Sequence, residues 1–276
     1  MNYKEISMNQ KIPQNDEKMP VLFIGHGSPM NIISENDFTR SLVKLGRSLP
    51  KPKAILVVSA HWLTDGTYVT CMNKPETIHD FYGFPEELYE ITYPSYGAPD
   101  CAKSLAQPDD NINCTTQWGL DHASWAVLKH MYPQADIPVF EMSLDYSFND
   151  WHPKPVQYHY DLASRLAGLR KKGVLIIGSG NLVHNLRMAD YNINARPYNW
   201  AVEFDQKVKS NILKGNVKDL INFENMGSSA SYAVPTLDHY LPMIYAIALH
   251  EENEPLTFTY EGFQNGSISM RCFQIG

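Results

Sequence analysis

The chain has 276 residues, 43% of them hydrophobic, and a net charge of −7 from 23 lysines and arginines against 30 aspartates and glutamates. This length is enough to bury one substantial core, and the mildly acidic balance argues against a nucleic acid or an anionic membrane surface as partner. No apolar run approaches the length of a membrane span, and residues 1–19 lack the apolar centre of a secretory signal, so we expect a cytoplasmic protein.

The first 19 residues are polar, and we expect them to form a flexible extension before a single domain at 20–276. The chain has four cysteines, none in a C-x-x-C pair: Cys71, Cys101, Cys114 and Cys272. We therefore expect reduced thiols and no disulfides. Nothing in the sequence indicates an oligomeric state.

Three apolar runs each lead to a histidine. Residues 21–29 read VLFIGHGSP, which predicts a buried strand that ends in a tight turn at His26. The run 54–58 leads to His61 in the same way, and the run 174–177 leads through GSGN to His184. Open α/β sheets hold their ligands at the carboxyl ends of the strands, so we expect these histidines to converge on one site.

A helical pattern separates the first two runs. Ser34 is expected to open a helix whose apolar residues recur at helical intervals from Phe38 until Pro50. A strand, a helix and a strand at this spacing predict a βαβ unit. In such a unit the strands that carry His26 and His61 are expected to be adjacent and parallel.

The middle of the chain is aromatic and irregular. Residues 77–89 read TIHDFYGFPEELY, and we expect this segment, with His79 and Phe81, to form a structured loop over the site. Asp121 is expected to cap a helix that runs to Tyr132 and carries His122 in its first turn.

The second half of the chain continues the alternation of strands and helices. We predict strands at 137–144, 174–177, 257–260 and 267–275, and helices around 162–169 and 201–212. A further helix is expected from Thr236 to Leu249, with His239 in its first turn. The predicted fold is a single α/β domain with a central, mostly parallel sheet flanked by helices.

The histidines suggest a metal ion. Of the ten in the chain, four lie in stretches without special context and are expected to be ordinary surface or core residues: His130, His152, His159 and His250. A helix N-terminus would disfavour imidazolium at His239, and neutral imidazoles bind Zn, Cu and Fe(II). We therefore expect a metal site at the carboxyl ends of the strands.

Other kinds of site fit the sequence less well. The phosphate-binding patterns G-x-x-x-x-G-K-[ST] and G-x-G-x-x-G are absent, and so is the hydrolase pattern G-x-S-x-G. The cysteine spacing excludes a zinc finger.

Six segments, in this order and spacing, resemble the DOPA-type branch of the class III extradiol ring-cleaving dioxygenases. They read GHGSPMN at 25–31, VVSAHW at 57–62, TIHDFYGFP at 77–85, GLDHASW at 119–125, GSGNLVHNLR at 178–187 and DHYLPM at 238–243. The resemblance covers nearly all of residues 20–276, which it identifies as the catalytic domain.

The resemblance implies an enzyme that opens the ring of a catechol with both atoms of O₂ and yields a muconic semialdehyde. The reaction would take place at a mononuclear non-haem Fe(II) site. On this model His26, His61 and His239 bind the metal, and His184 is either a fourth ligand or an acid/base. His122 would be a catalytic group that contacts the substrate or oxygen.

The resemblance also implies a substrate side of the site, where His79, Phe81 and Asp121 would contact the catechol. Asp238 is expected to be a hydrogen-bond partner of His239 or, as the other interpretation, a carboxylate ligand. An all-imidazole set leaves the charge of a divalent ion uncompensated, which favours an anionic catecholate. It binds Zn²⁺ at least as well as Fe²⁺, so we expect zinc in purified protein and Fe(II) in the active enzyme.

Two other functions stay open. One is a zinc-dependent hydrolase that activates water at the same histidines. The other is a non-catalytic, metal-binding scaffold. For the dioxygenase, the expected partners are a small catechol and O₂, with no nucleic acid and no membrane.

Overall fold

A mixed β-sheet organises the computed structural model, which describes residues 18–107, 111–147, 152–153 and 155–276. The strands are β1 Val21–Gly25, β2 Ala54–Thr64, β3 Thr67–Thr70, β4 Ile112–Thr115, β5 Val139–Ser147, β6 His152–Pro153, β7 Val174–Gly180, β8 Leu256–Tyr260, β9 Phe263–Gln264, β10 Ile268–Ser269 and β11 Cys272–Ile275.

The α-helices of the described residues are α1 Asp37–Ser48, α2 Pro99–Leu105, α3 His122–Met131, α4 Val156–Ala163, α5 Ala167–Lys171, α6 Asn199–Lys214, α7 Val217–Ile221, α8 Ser229–Ala233 and α9 Leu241–Ala248. Short 3-10 helices lie at Pro29–Ile32, Glu86–Leu88, Ser164–Leu166, Leu186–Met188 and Phe223–Met226. Across these same residues, no helix has both the length and the apolar character needed to cross a membrane. Residues 1–17 of the predicted extension lie outside the described residues.

The strands pair in the order β4-β3-β5-β2-β7-β1-β11-β8, with β6 beside β5 and a separate hairpin of β9 and β10. The central strands β5, β2, β7 and β1 are parallel to one another. At the two sides, β11 runs antiparallel to β1 and β3 antiparallel to β5. The prediction of a single α/β domain with a mostly parallel central sheet is confirmed.

Helices cover both faces of this sheet, which explains why its central strands are apolar without alternation. In β1, Val21 and Phe23 belong to the core shared with α4, α6 and α9, whereas Leu22 and Ile24 belong to the core shared with α1 and α3. The residues of β2 and β7 divide between the two cores in the same way. In β2 and β7 the first polar residues, Ser59 and Ser179, therefore come only after the apolar run.

The predicted βαβ unit is wrong in one respect. The strands that carry His26 and His61 are parallel but not adjacent, because β7 pairs with both β1 and β2 and lies between them. In addition, β2 continues past His61 to Thr64, and its register against β5 is irregular between Val58 and Leu63. His61 therefore lies in an irregular stretch within β2 and not beyond its end.

The start of the first helix also differs from the prediction. Helix α1 begins at Asp37 because Asn36 and Thr39 form a reciprocal capping box. Ser34, the predicted cap, instead donates its hydroxyl to the carbonyl of Met30. The prediction for α3 is confirmed, since Asp121 accepts the backbone N–H at the start of that helix.

The helix predicted from Thr236 begins only at Leu241, so His239 lies in the turn before α9 and not in its first turn. Pro242 occupies the first turn, where its missing N–H has no intrahelical partner to lose. The aromatic segment 77–89 is a loop with one short 3-10 helix, Glu86–Leu88, as expected for a structured loop.

The prediction that all cysteines are reduced is wrong. Cys71 and Cys114 form a disulfide, with Cα atoms 5.6 Å apart, which joins β4 to the residue that follows β3. Cys101 and Cys272 are free. The bonded pair is 43 residues apart in sequence, and only the pairing of β3 with β4 brings it together. The cysteines therefore give no support for a reducing compartment.

Strand β7 ends in glycines that let another segment approach its backbone. A Cβ atom at Gly180 would overlap the carbonyl oxygen of His239, and one at Gly178 would overlap that of Pro242. Asn181 donates its backbone N–H to the same His239 carbonyl at 2.9 Å. These glycines therefore serve close packing, and the contact at Gly180 sets the position of His239.

Replacing Gly180 by alanine should push the His239 segment away from β7. We expect the free energy of unfolding of Gly180→Ala, measured in urea, to fall by about 1–3 kcal/mol, the usual cost of overpacking. Gly168→Ala in α5 is the matched control, because no atom lies within 4 Å of its added Cβ and alanine favours a helix. A Gly180→Ala protein as stable as the wild type would contradict the contact.

A buried arginine joins the start of the described chain to the segment between α9 and β8. Arg170 is 1% exposed, and its guanidinium donates to the carbonyls of Met19 and Leu249. It also donates to both carboxylate oxygens of Glu254. Burial alone would raise the pKa of Glu254, but the hydrogen bonds from Arg170 and its other partners outweigh burial and lower the pKa to about 2.

Glu254→Gln leaves the buried guanidinium without its charged partner, so we expect the free energy of unfolding at neutral pH to fall by about 1–3 kcal/mol. Because the pKa is lowered in the folded state, the contribution of Glu254 is present above its usual pKa of 4.5 and is lost as the pH falls through about 2. The difference in the free energy of unfolding between wild type and variant should therefore shrink as the pH falls. Urea unfolding at a series of pH values measures it. Glu252→Gln, at an exposed position, is the control and should leave the free energy of unfolding unchanged. If the loss of stability in Glu254→Gln were the same at every pH, the assignment would be refuted.

Candidate metal centre

Three of the predicted histidines meet at the carboxyl ends of the central strands. His26 follows β1, His61 lies in the irregular stretch of β2, and His239 precedes α9. One ring nitrogen from each lies within 4.8 Å of the other two. The Nε2 atoms of His26 and His61 are 3.2 Å apart. The structure thus brings residues that are up to 213 positions apart (26 to 239) to one point.

In each of the three rings, a side-chain oxygen contacts the Nδ1 atom. These contacts are Ser179 Oγ at 3.1 Å from His26, Asp80 Oδ2 at 3.1 Å from His61, and a carboxylate oxygen of Asp238 against His239. A contact at Nδ1 orients the ring and leaves Nε2 as the free nitrogen, which is the usual arrangement of metal-binding histidines.

Among the described residues, the Nε2 atoms of His26 and His61 contact each other and that of His239 has no partner. Nε2 of His239 is buried and has no hydrogen-bond partner among the described residues. A buried polar atom left in this way costs about 1–3 kcal/mol, so its retention needs an explanation. Three converging imidazole nitrogens are a donor set that suits Fe(II), Zn²⁺ or Cu²⁺. The residues present therefore fit a metal ion.

Burial keeps the imidazoles of His26 and His239 neutral, as metal ligands must be. It lowers the pKa of His26 well below the usual value, and the neighbouring histidines lower it further. Burial also lowers the pKa of His239, although Asp238 acts in the opposite direction. The neutral state of His239 was predicted from a helix N-terminus, but burial is its main cause.

Asp80 is the residue of this site that sequence analysis missed. Its Oδ2 lies 2.8 Å from Nδ1 of His122 and 3.1 Å from Nδ1 of His61, and its Oδ1 accepts the backbone N–H of His122 at 2.9 Å. Burial would raise the pKa of Asp80, but the contacts with His122 and His61 outweigh burial and hold it below its usual range. The only signal in the sequence was an acidic residue among the aromatics of TIHDFYGFP.

His122 lies between the three histidines and the aromatic segment. Its ring centroid is 4.1 Å from that of His61 and 5.5 Å from that of Phe81. Phe81 contacts the ring of His79 edge-on at 5.7 Å, and Nε2 of His79 lies 3.0 Å from the carbonyl oxygen of Ile91. The aromatic segment therefore borders the site through Phe81, with His79 one ring farther away.

His184 stacks on His239 and lies outside the group of three. The two ring centroids are 3.4 Å apart, and the rings are within 9° of parallel. His184, Asp238 and His239 form a separate group of potential ligand atoms that lie within 4.8 Å of one another, and this group contains neither His26 nor His61. Burial lowers the pKa of His184 well below its usual value, so its ring is also neutral.

Asp121 is fully buried behind the site. One of its oxygens accepts the backbone N–H of Ala123 at 3.0 Å, and the other accepts the hydroxyl of Ser59 at 2.6 Å. The Ser59 oxygen in turn accepts the backbone N–H of His61 at 3.1 Å. Through these bonds Asp121 connects the start of α3 to the backbone that carries His61.

A second buried carboxyl, Glu141 of β5, lies next to Asp121. It accepts the backbone N–H of Asp121 at 2.8 Å and the indole N–H of Trp118 at 3.0 Å. Burial raises the pKa of Glu141 well above its usual value, and it raises the pKa of Asp121 to about 6, with the charge of Asp80 adding to that effect. The pair therefore carries less negative charge at neutral pH than two exposed carboxylates would.

Comparisons with known proteins identify the family of the chain. A family model described as "Catalytic LigB subunit of aromatic ring-opening dioxygenase" matches residues 20–269. The "4,5-DOPA dioxygenase extradiol" of Escherichia coli (strain K12) is 45% identical over 272 residues, which cover 96% of this chain and 97% of the relative. A relative of the same name from Beta vulgaris is 32% identical over 268 residues, covering 94% of this chain and 97% of that protein.

A solved structure supports the same assignment. The crystal structure of an uncharacterized protein from Escherichia coli K12 matches with a TM-score of 0.79 and 39% identity, and the match covers 94% of this chain and 100% of that chain. Family model, relatives and fold all extend over nearly the whole sequence. The chain therefore belongs to the LigB family of extradiol, aromatic ring-opening dioxygenases.

Proposed function

We propose that this dioxygenase opens the ring of a DOPA-like catechol to a muconic semialdehyde, and that His26, His61 and His239 hold its single Fe(II) ion. The names of the relatives support the substrate class. The observation that carries the proposed ligand set is the convergence of three imidazole nitrogens, one of them buried without a partner.

Proton transfer is the task that we assign to His122 and His184. When bound, Fe(II) supplies the electron transfer that allows O₂ to react with a catechol. A catechol hydroxyl must lose its proton before ring opening, and a proton must return later; a neutral imidazole nitrogen can accept the first proton and then give it back. We assign His184 as an acid/base and not as a fourth ligand, because it lies outside the group formed by His26, His61 and His239.

The aromatic segment is the proposed wall for the substrate ring. Phe81 is 9% exposed and stands against His122, so an aromatic substrate bound there would contact both side chains. His79 would extend this wall. The oxygens of Asp121 are occupied by Ser59 and Ala123, so we propose that Asp121 affects substrate binding through the placement of its neighbours.

The proposed metal of the active enzyme is Fe(II), and we expect zinc in protein purified without added iron. Imidazole ligands bind Zn²⁺ at least as well as Fe²⁺, and Zn²⁺ has no redox chemistry. A zinc hydrolase at the same histidines is the alternative that this donor set also suits. A cytoplasmic location stays a prediction of the sequence, and the disulfide weakens it.

Oxygen uptake with a panel of catechols tests the reaction and the metal together. Protein loaded anaerobically with Fe(II) should consume O₂ with a DOPA-like catechol and form a yellow semialdehyde. Protein as purified, with its metal content measured by plasma mass spectrometry, should be zinc-rich and inert. Uptake by the zinc form would refute the metal assignment, and ester or amide hydrolysis without O₂ uptake would favour the hydrolase.

Removal of a proposed ligand tests the site independently of turnover. Both His26→Ala and His61→Ala remove one of three converging nitrogens, so we expect neither variant to bind Zn²⁺ detectably in calorimetry. His250→Ala is the control, because the Nε2 atom of His250 contacts the carbonyl of Glu254 and the residue belongs to none of the described metal-binding groups. Full zinc occupancy in either ligand variant would place the site elsewhere.

A further inference from the structure

Asp80 uses its two carboxylate oxygens for different purposes. Oδ1 accepts the backbone N–H of His122 at 2.9 Å and so satisfies a donor at the start of α3. Oδ2 lies within hydrogen-bonding distance of two imidazoles, at 2.8 Å from Nδ1 of His122 and 3.1 Å from Nδ1 of His61. The first contact is structural, whereas the second concerns two rings of the candidate metal centre.

An ionised carboxylate accepts hydrogen bonds and donates none. Two neutral imidazoles can satisfy the same oxygen only if each carries its single hydrogen on the nitrogen that faces it, which is Nδ1 in both rings. Each ring then has an unprotonated Nε2 with a free lone pair. In His61 this is the nitrogen 3.2 Å from Nε2 of His26, on the side where the three histidines converge.

The position of Asp80 is itself well fixed. Two residues before it, Ile78 donates its backbone N–H to the carbonyl of Leu120 at 2.7 Å and accepts the indole N–H of Trp125 at 2.8 Å. Thr77 forms a β-bridge with Leu120. These bonds tie the loop that carries Asp80 to the segment that carries His122, and so position the carboxylate relative to the imidazole.

We propose that Asp80 is a positioning residue that holds His61 and His122 in the tautomer with hydrogen on Nδ1. It thereby prepares Nε2 of His61 to bind the metal ion and Nε2 of His122 to accept a proton from the substrate. This inference rests on the proposed function, because it assigns one ring to the metal and the other to the catechol. One carboxylate thus fixes the tautomer of both a metal ligand, His61, and an acid/base, His122.

Asp80→Asn separates the two purposes of the carboxylate. The amide oxygen can still accept the backbone N–H of His122, whereas the NH₂ group now faces both Nδ1 atoms as a donor. Each ring is then driven to move its hydrogen to Nε2, in competition with the metal and with the substrate. We expect Co²⁺, used as the probe, to bind about 10–100-fold more weakly, the usual effect of losing such a partner.

Turnover and tautomer give two further readouts. In the Fe(II)-loaded enzyme, kcat of Asp80→Asn should fall by about tenfold or more with KM changed less than threefold, because the loss is at a proton-accepting nitrogen and not at the aromatic wall. In ¹⁵N-histidine NMR of the zinc-loaded wild type, His122 should carry its hydrogen on Nδ1, and in the variant on Nε2. Asp65→Asn, at an exposed position four residues after His61, is the matched control. It should change neither kcat nor the tautomer of His122.

The outcomes separate this inference from the proposed function. Wild-type protein that binds no Co²⁺ would overturn the metal site itself. Wild-type protein that binds Co²⁺ but carries the hydrogen of His122 on Nε2 would overturn only the role of Asp80, and this measurement does not depend on the variant folding. Asp80→Asn with Co²⁺ affinity within twofold of wild type and an unchanged kcat would overturn it as well.

Discussion

Three imidazole rings must present a nitrogen to one point, and each ring is fixed at its other nitrogen by a different part of the chain. Ser179 belongs to β7, Asp80 to the aromatic segment, and Asp238 to the turn before α9. No single motif can therefore build the site. It depends on the relative placement of the central sheet, one loop and one helix start, and β7 takes part twice, through Ser179 and through the glycine that admits His239.

The sequence was informative where the physical cause is local. A strand buried on both faces has to be a continuous apolar run, so the strands before His26 and His184 could be recognised without a structure. Asp121 as a helix cap follows from its place before an apolar helix. The strand-end pattern grouped His26, His61 and His184, and the resemblance of six short segments then implied the ligand set His26, His61 and His239.

What could not be predicted depends on contacts between distant segments. Nothing in the sequence of β1 and β2 reveals that β7 lies between them, because that order is set by pairing across more than 100 residues. The Cys71–Cys114 disulfide and the contact of Asp80 with His122 have the same character. The start of α1 was missed for a different reason, since Ser34 and Asn36 are both good caps and only the reciprocal bond with Thr39 decides between them.

The carboxylates that contact the Nδ1 atoms, Asp80 and Asp238, also change the charge balance of the site. Although burial opposes it, the pKa values of Asp80 and Asp238 are held below the usual range by their histidine partners, so both are ionised. These two negative charges would offset the double charge of a divalent ion held by the three histidines, contrary to the uncompensated charge expected from an all-imidazole set. Such a centre would attract the proposed catechol only weakly in its doubly ionised form. On the proposed function, the catechol would therefore bind best with its hydroxyls protonated, and side chains of this protein would have to accept those protons.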